Sequence, residues 1–441
     1  MFNIISVKYY ARYYCFGERI NGDQMVIDIG NIKKEPLMQD PYVKEVYELA
    51  CDKSLFYKSP EELRKKRRDI FRKSLDYFSR HNEEYYIPLL ENLDIQLSTA
   101  ELEDLVDIAV PSDQFRGDGQ KKYMIKDVPK GGPTYRSSET TGKDPVTVYR
   151  SPIDLVIERG VDGGLIDYVC GHELNEGEAL FFATPELKET MGFIGGFSDL
   201  LETRGIDVKY GMKVEDVEGA RTIWEKLRPD RKAIASFYRS KKEPKYIISA
   251  PVGIYKTLRS FEEGGLGRKL IFKLFMGVPP INLGKGGAIF TGGGAKAADI
   301  PPIEKLMEMT KDKIIAKDDY GKKITAPWID ILGHTEHLGI LPSKPNTLAK
   351  IPHPLTHAFL VDQKTFKPLK NYEEEGILGL FSPFYTTFLN AFYPGDIMKA
   401  KTDDSYYGKS FEYVRRLKLE EGWSLQRACG GALEEGMKEK F

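Results

Sequence analysis

Three short apolar runs, each closed by small or polar residues, constrain this chain more than anything else in it. Lys245-Tyr246-Ile247-Ile248-Ser249-Ala250-Pro251 reads as a buried strand, followed by a helix from about Ile254 to Phe261. Gly286-Gly287-Ala288-Ile289-Phe290-Thr291-Gly292-Gly293-Gly294-Ala295-Lys296 is a brief strand running into three glycines, with a helical segment expected from about Ile303 to Ile315. Trp328-Ile329-Asp330-Ile331-Leu332 is a third strand, and it ends at Gly333. Short apolar runs between turn signals suit buried strands. Strands alternating with helical patterns imply a layered α/β core, whose ligands lie beyond the carboxyl ends of the strands.

The 441 residues allow two to three domains and a substantial buried core. Residues 1–130 read as mostly helical. Ser59-Pro60-Glu61-Glu62 is a capping box with proline at the first helical position, and Leu63, Ile70, Phe71, Leu75 and Phe78 then share one helical face. A second helix start is expected at Ser98-Thr99-Ala100-Glu101, before Leu102, Leu105, Val106 and Ile108. The basic run from Arg64 to Arg68 is the solvated side of the first helix. Leu270 to Met276 is a further apolar run, and Ala358–Asp362, Gly376–Phe381 and Phe384–Phe392 read as a β meander.

A formal net charge of −1 argues against nucleic acid or an anionic membrane as the main partner. No apolar run of about 18 residues is present to span a bilayer, and the amino terminus carries no export signal. Cys15, Cys51, Cys170 and Cys429 are widely spaced without a CxxC pair, which suits a reducing cytoplasm and gives no zinc site. His334, His337, His353 and His357 lie near one another in sequence. No HExxH is present, and Pro352 and Pro354 disfavour a helical face shared by His353 and His357.

Candidate chemistry concentrates in a few segments. Ser137-Ser138-Glu139-Thr140-Thr141-Gly142-Lys143 offers four hydroxyls, a glycine turn and an ammonium, which suit a polyphosphate; a solvated turn is the alternative. Neither a GxxxxGK[ST] loop nor a GxGxxG between strand and helix is present, so P-loop and Rossmann sites are not indicated. The glycines after Phe290 let backbone approach a flat ligand closely, or form a flexible turn. Thr335-Glu336 after the Gly333 turn presents a hydroxyl and a carboxylate, a usual way to hold Mg2+, or a surface carboxylate.

Taken together these segments resemble the motifs of the adenylate-forming superfamily, and within it the LuxE-type acyl-protein synthetases. The hydroxyl loop is similar to (S/T)SGTTGKP, with Glu139 in place of a glycine. Gly333-His334-Thr335-Glu336 resembles YGxTE, with Leu332 where the family has an aromatic ring; Tyr393-Pro394-Gly395-Asp396 resembles YxTGD; and the segment Gly408 to Lys418 resembles the hinge motif, with Arg416 as its arginine and Arg415 in place of glycine. Asp40-Pro41-Tyr42, the segment Ser79 to Tyr85 and Val110-Pro111-Ser112-Asp113-Gln114-Phe115 resemble the amino-terminal part of LuxE-type proteins.

The resemblance implies an α/β adenylate-forming large domain: layered mixed sheets with flanking helices and a small β subdomain. It divides the chain into a helical N-terminal cap region (1–130), an α/β nucleotide- and acid-binding core (131–355), a small β subdomain (356–415) and a short C-terminal segment (416–441). Only 25 residues follow Arg416, too few for the usual mobile C-terminal domain, so that domain is expected to be truncated. The implied ligands are ATP, Mg2+ and a carboxylic acid. ATP is expected on Ser137, Ser138, Thr140, Thr141, Gly142, Gly293, Gly294, Ala295, Thr335, Asp396 and Arg416, with Lys143 and Glu336 catalytic and Glu336 on the metal. Lys296 would approach a phosphate or the acid. The Arg427-Ala428-Cys429-Gly430-Gly431 segment resembles the acyl-accepting segment of LuxE-type proteins, which makes Cys429 the expected thiol acceptor and an acyl-CoA reductase the expected partner. A CoA ligase and a degenerate ligand-binding member remain as alternatives.

Overall fold

Ser59 starts the longest helix as its sequence directs. Its hydroxyl accepts from Glu62 N, and the Glu62 carboxylate accepts from Ser59 N at 3.0 Å, so two of the amide groups that a helix start leaves open are satisfied. The helix runs Pro60–His81 and buries Leu63, Ile70, Phe71, Leu75 and Phe78 as one face. Helices Pro41–Ala50 and Glu83–Asn92 flank it in sequence. This computed structural model describes residues 32–137, 145–216, 218, 226–263, 280–292, 300–370, 373–403 and 408–417. Two units are distinguished: Met1–Gly164 with His334–Leu341 and Ala349–Phe441, and Leu165–Gly333 with Pro342–Leu348.

In the first unit the helices pack on a seven-stranded sheet. Its order is Val110–Pro111, Asn390–Tyr393, Glu375–Ser382, Asp396–Asp403, Gly408–Arg416 and Ala349–Lys350, with His357–Val361 also paired to Glu375–Ser382. Phe71 meets Phe381 edge-on, ring centres 5.2 Å apart. The meander expected after Ala358 is present, but Phe384 to Leu389 is not a strand. Side chains satisfy the backbone there instead: Tyr42 and Tyr77 hydroxyls donate to the carbonyls of Pro383 and Thr386, Leu389 N donates to the Tyr86 hydroxyl, and Thr386 N donates to buried Asp154. A backbone so paired has no need of a neighbouring strand.

The second unit holds a six-stranded sheet, ordered Leu341–Pro342, Trp328–Leu332, Ala288–Gly292, Lys245–Ser249, Glu178–Phe181 and Asp207–Tyr210. The three apolar runs of the sequence are three neighbours in this sheet, paired in parallel. Ile247, Ile289 and Trp328 share a core with Leu258, Ile281, Leu306 and Ile314. The buried Trp328 indole N–H donates to Thr291 Oγ1 at 2.9 Å, and Thr291 in turn donates to Asp330. A three-stranded sheet of Lys323–Thr325, Ile314–Lys317 and Ile281–Lys285 lies in the same unit.

Local expectations were corrected in three places. The helix after Ile303 stops at Thr310; Asp312 takes a left-handed φ of 62°, and the β-branched Ile314 and Ile315 enter a strand. The helix expected around Ile254 begins earlier, with Pro251 as its first residue, and runs to Glu263. The start expected at Ser98 shrinks to a 3-10 turn, Leu102–Asp104, and one helical turn, Leu105–Ile108, because Val110–Pro111 turns into the sheet. Leu270 to Met276 lies outside the described residues. Among the described residues no helix is long and apolar enough to cross a membrane.

His353 gives the fold a definite response to acid. It is 3 % exposed, edge-on to Phe56 and Phe384, and its Nδ1 accepts from Leu355 N at 3.2 Å. Burial, and then the Arg67 charge, lower its pKa to about 3. The unfolded chain takes up this proton near pH 6.5 and the folded chain does not, so stability is full above about pH 6.5 and falls as pH drops towards 3. Urea unfolding between pH 7 and 5 is expected to show a loss to which His353 contributes up to about 1.4 kcal/mol per pH unit. His353→Phe should flatten that slope, and an unchanged slope would contradict the assignment.

Candidate functional site

Asp396 opens one strand and Arg416 closes its neighbour, and the antiparallel register sets the two directly opposite. Gly395, at φ 82°, makes the turn that leads into Asp396. Arg416 Nη1 donates to Asp396 Oδ1 at 2.8 Å, and His334 Nε2 lies 2.7 Å from Asp396 Oδ2. Burial alone would raise the Asp396 pKa, but the bond and charge of His334 and the charge of Arg416 hold it below the usual carboxylate range. Burial opposes the Arg416 charge, yet Asp396 and then Glu336 raise its pKa above the ordinary value. Glu336 therefore belongs to the same electrostatic neighbourhood.

Glu336 is 5 % exposed. Its Oε1 accepts from the Ser112 hydroxyl, and its backbone carbonyl accepts from Asn390 Nδ2 at 2.6 Å. Ser112 is delivered by Val110–Pro111, which pairs in parallel with Asn390–Tyr393. The Val110–Phe115 segment singled out in the sequence thus serves the loop that carries Glu336.

Arg150 fixes that loop from another side. The guanidinium is buried, pairs with Glu158, and donates from Nη2 to the carbonyls of His337 at 2.7 Å and Thr335 at 3.3 Å. Its Nε donates to the Tyr385 hydroxyl at 3.0 Å, and its charge lies 5.0 Å from the Tyr135 ring centre. Glu158 and Asp162, one turn apart on the helix Pro152–Cys170, form the acidic side of this cluster, and Asp162 Oδ1 accepts from Ile340 N at 3.0 Å. Burial, then the Glu158 charge, push the Asp162 carboxyl well above its ordinary value.

Tyr135 belongs to the base of the hydroxyl loop. Thr134–Arg136 and Thr147–Tyr149 form an antiparallel pair, closed by Ser137 N donating to Val146 O at 2.9 Å and Val146 N donating to Ser137 Oγ at 3.0 Å. Arg150 follows the second of these strands directly. One guanidinium therefore touches both the base of the hydroxyl loop and the Thr335–Glu336 turn.

The structure brings Thr335, Glu336, Asp396 and Arg416 into one neighbourhood, with Ser137 at the closure of the hairpin whose base Arg150 touches. Ser138, Thr140, Thr141, Gly142 and Lys143 lie outside the described residues, as do Glu139, Gly293, Gly294, Ala295, Lys296 and Cys429. Arg415, in place of the hinge glycine, donates to Gln363 at 3.1 Å, and Leu332 ends its strand half-buried. Four contributors carried no sequence signal of their own. Arg150 and Asn390 are isolated polar residues, and Ser112 and His334 lie inside resembling segments that give neither of them a role of its own. Among the described residues no group of three or more His, Cys, Asp or Glu gathers as a metal shell. Mg2+ held with a nucleotide takes most of its oxygens from phosphates and water, so the single buried carboxylate of Glu336 fits that kind of site.

No protein-family model matches the chain, and no curated protein sequence resembles it. Solved structures do. A 2-hydroxyisobutyryl-CoA ligase in complex with 2-HIB-AMP and CoA in the thioesterification state matches with a TM-score of 0.56 at 12 % identity, covering 81 % of this chain and 69 % of that one. The same ligase in an open conformation gives 0.51 at 13 %, covering 78 % and 72 %. In its postadenylation state with R3-HIB-AMP it gives 0.54 at 14 %, covering 81 % and 67 %. At these identities the likeness is one of fold. The shared fold is a mixed α/β architecture of several mixed sheets with flanking helices, the fold class expected from the sequence.

Replacing Arg150 tests the clamp. Arg150→Met would leave Glu158 buried opposite an apolar side chain and free the Thr335 and His337 carbonyls. A loss of about 3–5 kcal/mol in urea unfolding is expected. Ser112→Ala, which removes a single hydroxyl, should cost about 1 kcal/mol. Equal effects of the two substitutions would contradict the central role given to Arg150.

Proposed function

We propose that this protein uses ATP to activate a carboxylic acid, fatty or aryl, as an acyl-adenylate and passes the acyl group to a thiol. The observation that carries the reading is the single neighbourhood formed by Thr335, Glu336, Asp396 and Arg416, tied through Arg150 to the base of the hydroxyl loop. Those segments lie far apart in sequence. The shared fold supports it, since the matching ligase structures carry an acyl-adenylate.

In this reading Ser137, Ser138, Thr140, Thr141, Gly142 and Lys143 hold the phosphates, with Thr335 beside them. Gly293, Gly294 and Ala295 lie along the base, and Asp396 and Arg416 take the ribose. Glu336 holds Mg2+, which neutralises phosphate charge when bound. The acid's carboxylate oxygen attacks the α-phosphorus as the bond to pyrophosphate breaks, and Lys143 steadies the charge on the departing oxygens. A thiolate then attacks the acyl carbon, forming a thioester as AMP leaves with the bonding electrons. The acceptor is Cys429 in the acyl-protein form of the reaction, from which an acyl-CoA reductase in the cytoplasm would draw the acyl group. CoA is the second candidate, favoured by its presence in the matching ligase structures.

Exchange of labelled pyrophosphate into ATP across a panel of acids tests the first half-reaction. Wild-type protein should exchange with at least one acid, and Lys143→Ala and Glu336→Gln should each lower the rate by about 100-fold or more. Cys429→Ala should leave exchange intact and abolish an acyl adduct on the protein. Acyl-CoA release that survives Cys429→Ala would assign CoA as the acceptor, and failure to exchange with any acid would contradict adenylation.

A further inference from the structure

The helices Pro60–His81 and Glu83–Asn92 meet at Asn82, and a groove of about 570 Å³ lies along them. Asp94 takes a left-handed φ of 51°, and Ile95 N donates back to the Leu90 carbonyl at 2.9 Å. That turn closes the second helix and brings Ile95, Gln96 and Leu97 back to line the groove. Its apolar lining is Ile87, Leu90, Ile95 and Leu97, and Ile87 is 40 % exposed.

The rest of the lining is acidic. Asp76, Glu83, Glu91 and Asp94 stand against a single cation, Arg80, which Asp76 engages at 3.0 Å and Asp40 at 3.2 Å. Glu83, Glu91 and Asp94 have no ion pair among the described residues. Glu83, Ile87, Leu90 and Glu91 recur at helical spacing, so acidic and apolar groups form one stripe. On the first helix Ser79 also lines the groove; it is 7 % exposed and its hydroxyl has no partner. Native proteins leave few such groups unused, which marks the groove as incomplete in the isolated chain.

The sign of this charge excludes nucleic acid and anionic membranes. Most of the lining residues are exposed, so a small molecule would keep too much of its surface in water. An amphipathic helix suits such a groove, because its apolar face covers the exposed stripe while its cations answer the carboxylates. We propose that this groove docks a basic amphipathic helix of a partner protein, with bulky apolar side chains on Ile87, Leu90, Ile95 and Leu97 and lysines or arginines against Glu83, Glu91 and Asp94. The surface shares no residue with the Asp396–Arg416 neighbourhood, so the proposal stands or falls apart from the nucleotide reading.

Fluorescence polarisation of the full chain with a labelled helical peptide, lysines on one face and leucines on the other, tests this. Wild type should bind it saturably, and more weakly as salt rises from about 50 to about 300 mM. Glu91→Lys and Ile87→Ser should each weaken binding about 10-fold. Both residues are exposed, and a cation in the last turn of a helix is favourable, so circular dichroism should show the fold unchanged. Unchanged affinity in either variant would overturn the proposal. So would equal binding of a peptide with serines in place of the leucines, since charge alone would then suffice, or displacement of the peptide by an equal concentration of spermine. The comparison of peptides needs no variant, and a wild type without saturable binding below about 1 mM would also overturn it.

Discussion

A buried guanidinium sets the terms for the first unit. Arg150 can be enclosed only if its charge is matched and its N–H groups are used, and the residues that do so come from separate parts of the chain: Glu158 on a helix, the carbonyls of Thr335 and His337, the Tyr385 hydroxyl and the face of Tyr135. Meeting that electrostatic demand fixes the loop bearing Glu336 relative to the hairpin that bears the hydroxyl loop. The result is positional precision more than net stability, because a buried ion pair gains little over a well-packed apolar substitute.

The rest of the neighbourhood follows from the sheet. Asp396 and Arg416 are cross-strand neighbours by register, so the pair needs no adjustment of the backbone to form. The parallel pairing of Val110–Pro111 with Asn390–Tyr393 brings Ser112 to Glu336, and Asn390, on the partner strand, holds the Glu336 carbonyl. Beneath this, tyrosine hydroxyls from the helices satisfy the irregular chain after Pro383 and leave it free to carry Tyr385 to Arg150. Helices and sheet are thus joined by directed polar contacts within an apolar core, which resists sliding better than apolar contact alone.

Much of this was legible in the sequence where the signal was periodic or punctuated. The Ser59 capping box, the buried face from Leu63 to Phe78 and the three apolar strands follow from local rules, while the parallel pairing of those strands is supplied by the fold. The segment Phe384 to Leu389 was misread as a strand because its apolar residues look like one; what keeps it irregular is Asp154 and three tyrosines at least 230 residues upstream. Ile314 and Ile315 were read as the end of a helix because the left-handed turn at Asp312 has no unique residue signature. At the site, Thr335, Glu336, Asp396 and Arg416 could be named because motifs carry them. Arg150 and Asn390 could not, because a single polar residue announces itself only through partners that the fold supplies, and for Ser112 the resembling segment gave a position without a role.

The central claim is that the hydroxyl hairpin, the Thr335–Glu336 turn and the Asp396–Arg416 pair answer to one Mg2+-nucleotide. Amide hydrogen exchange with and without Mg2+-ATP measures that most directly, since ligand contact slows local opening where it binds. The account predicts slowed exchange in residues 134–149, 334–337 and 395–417 together, at one shared ATP concentration. Slowing confined to one of the three, or elsewhere in the chain only, would contradict it.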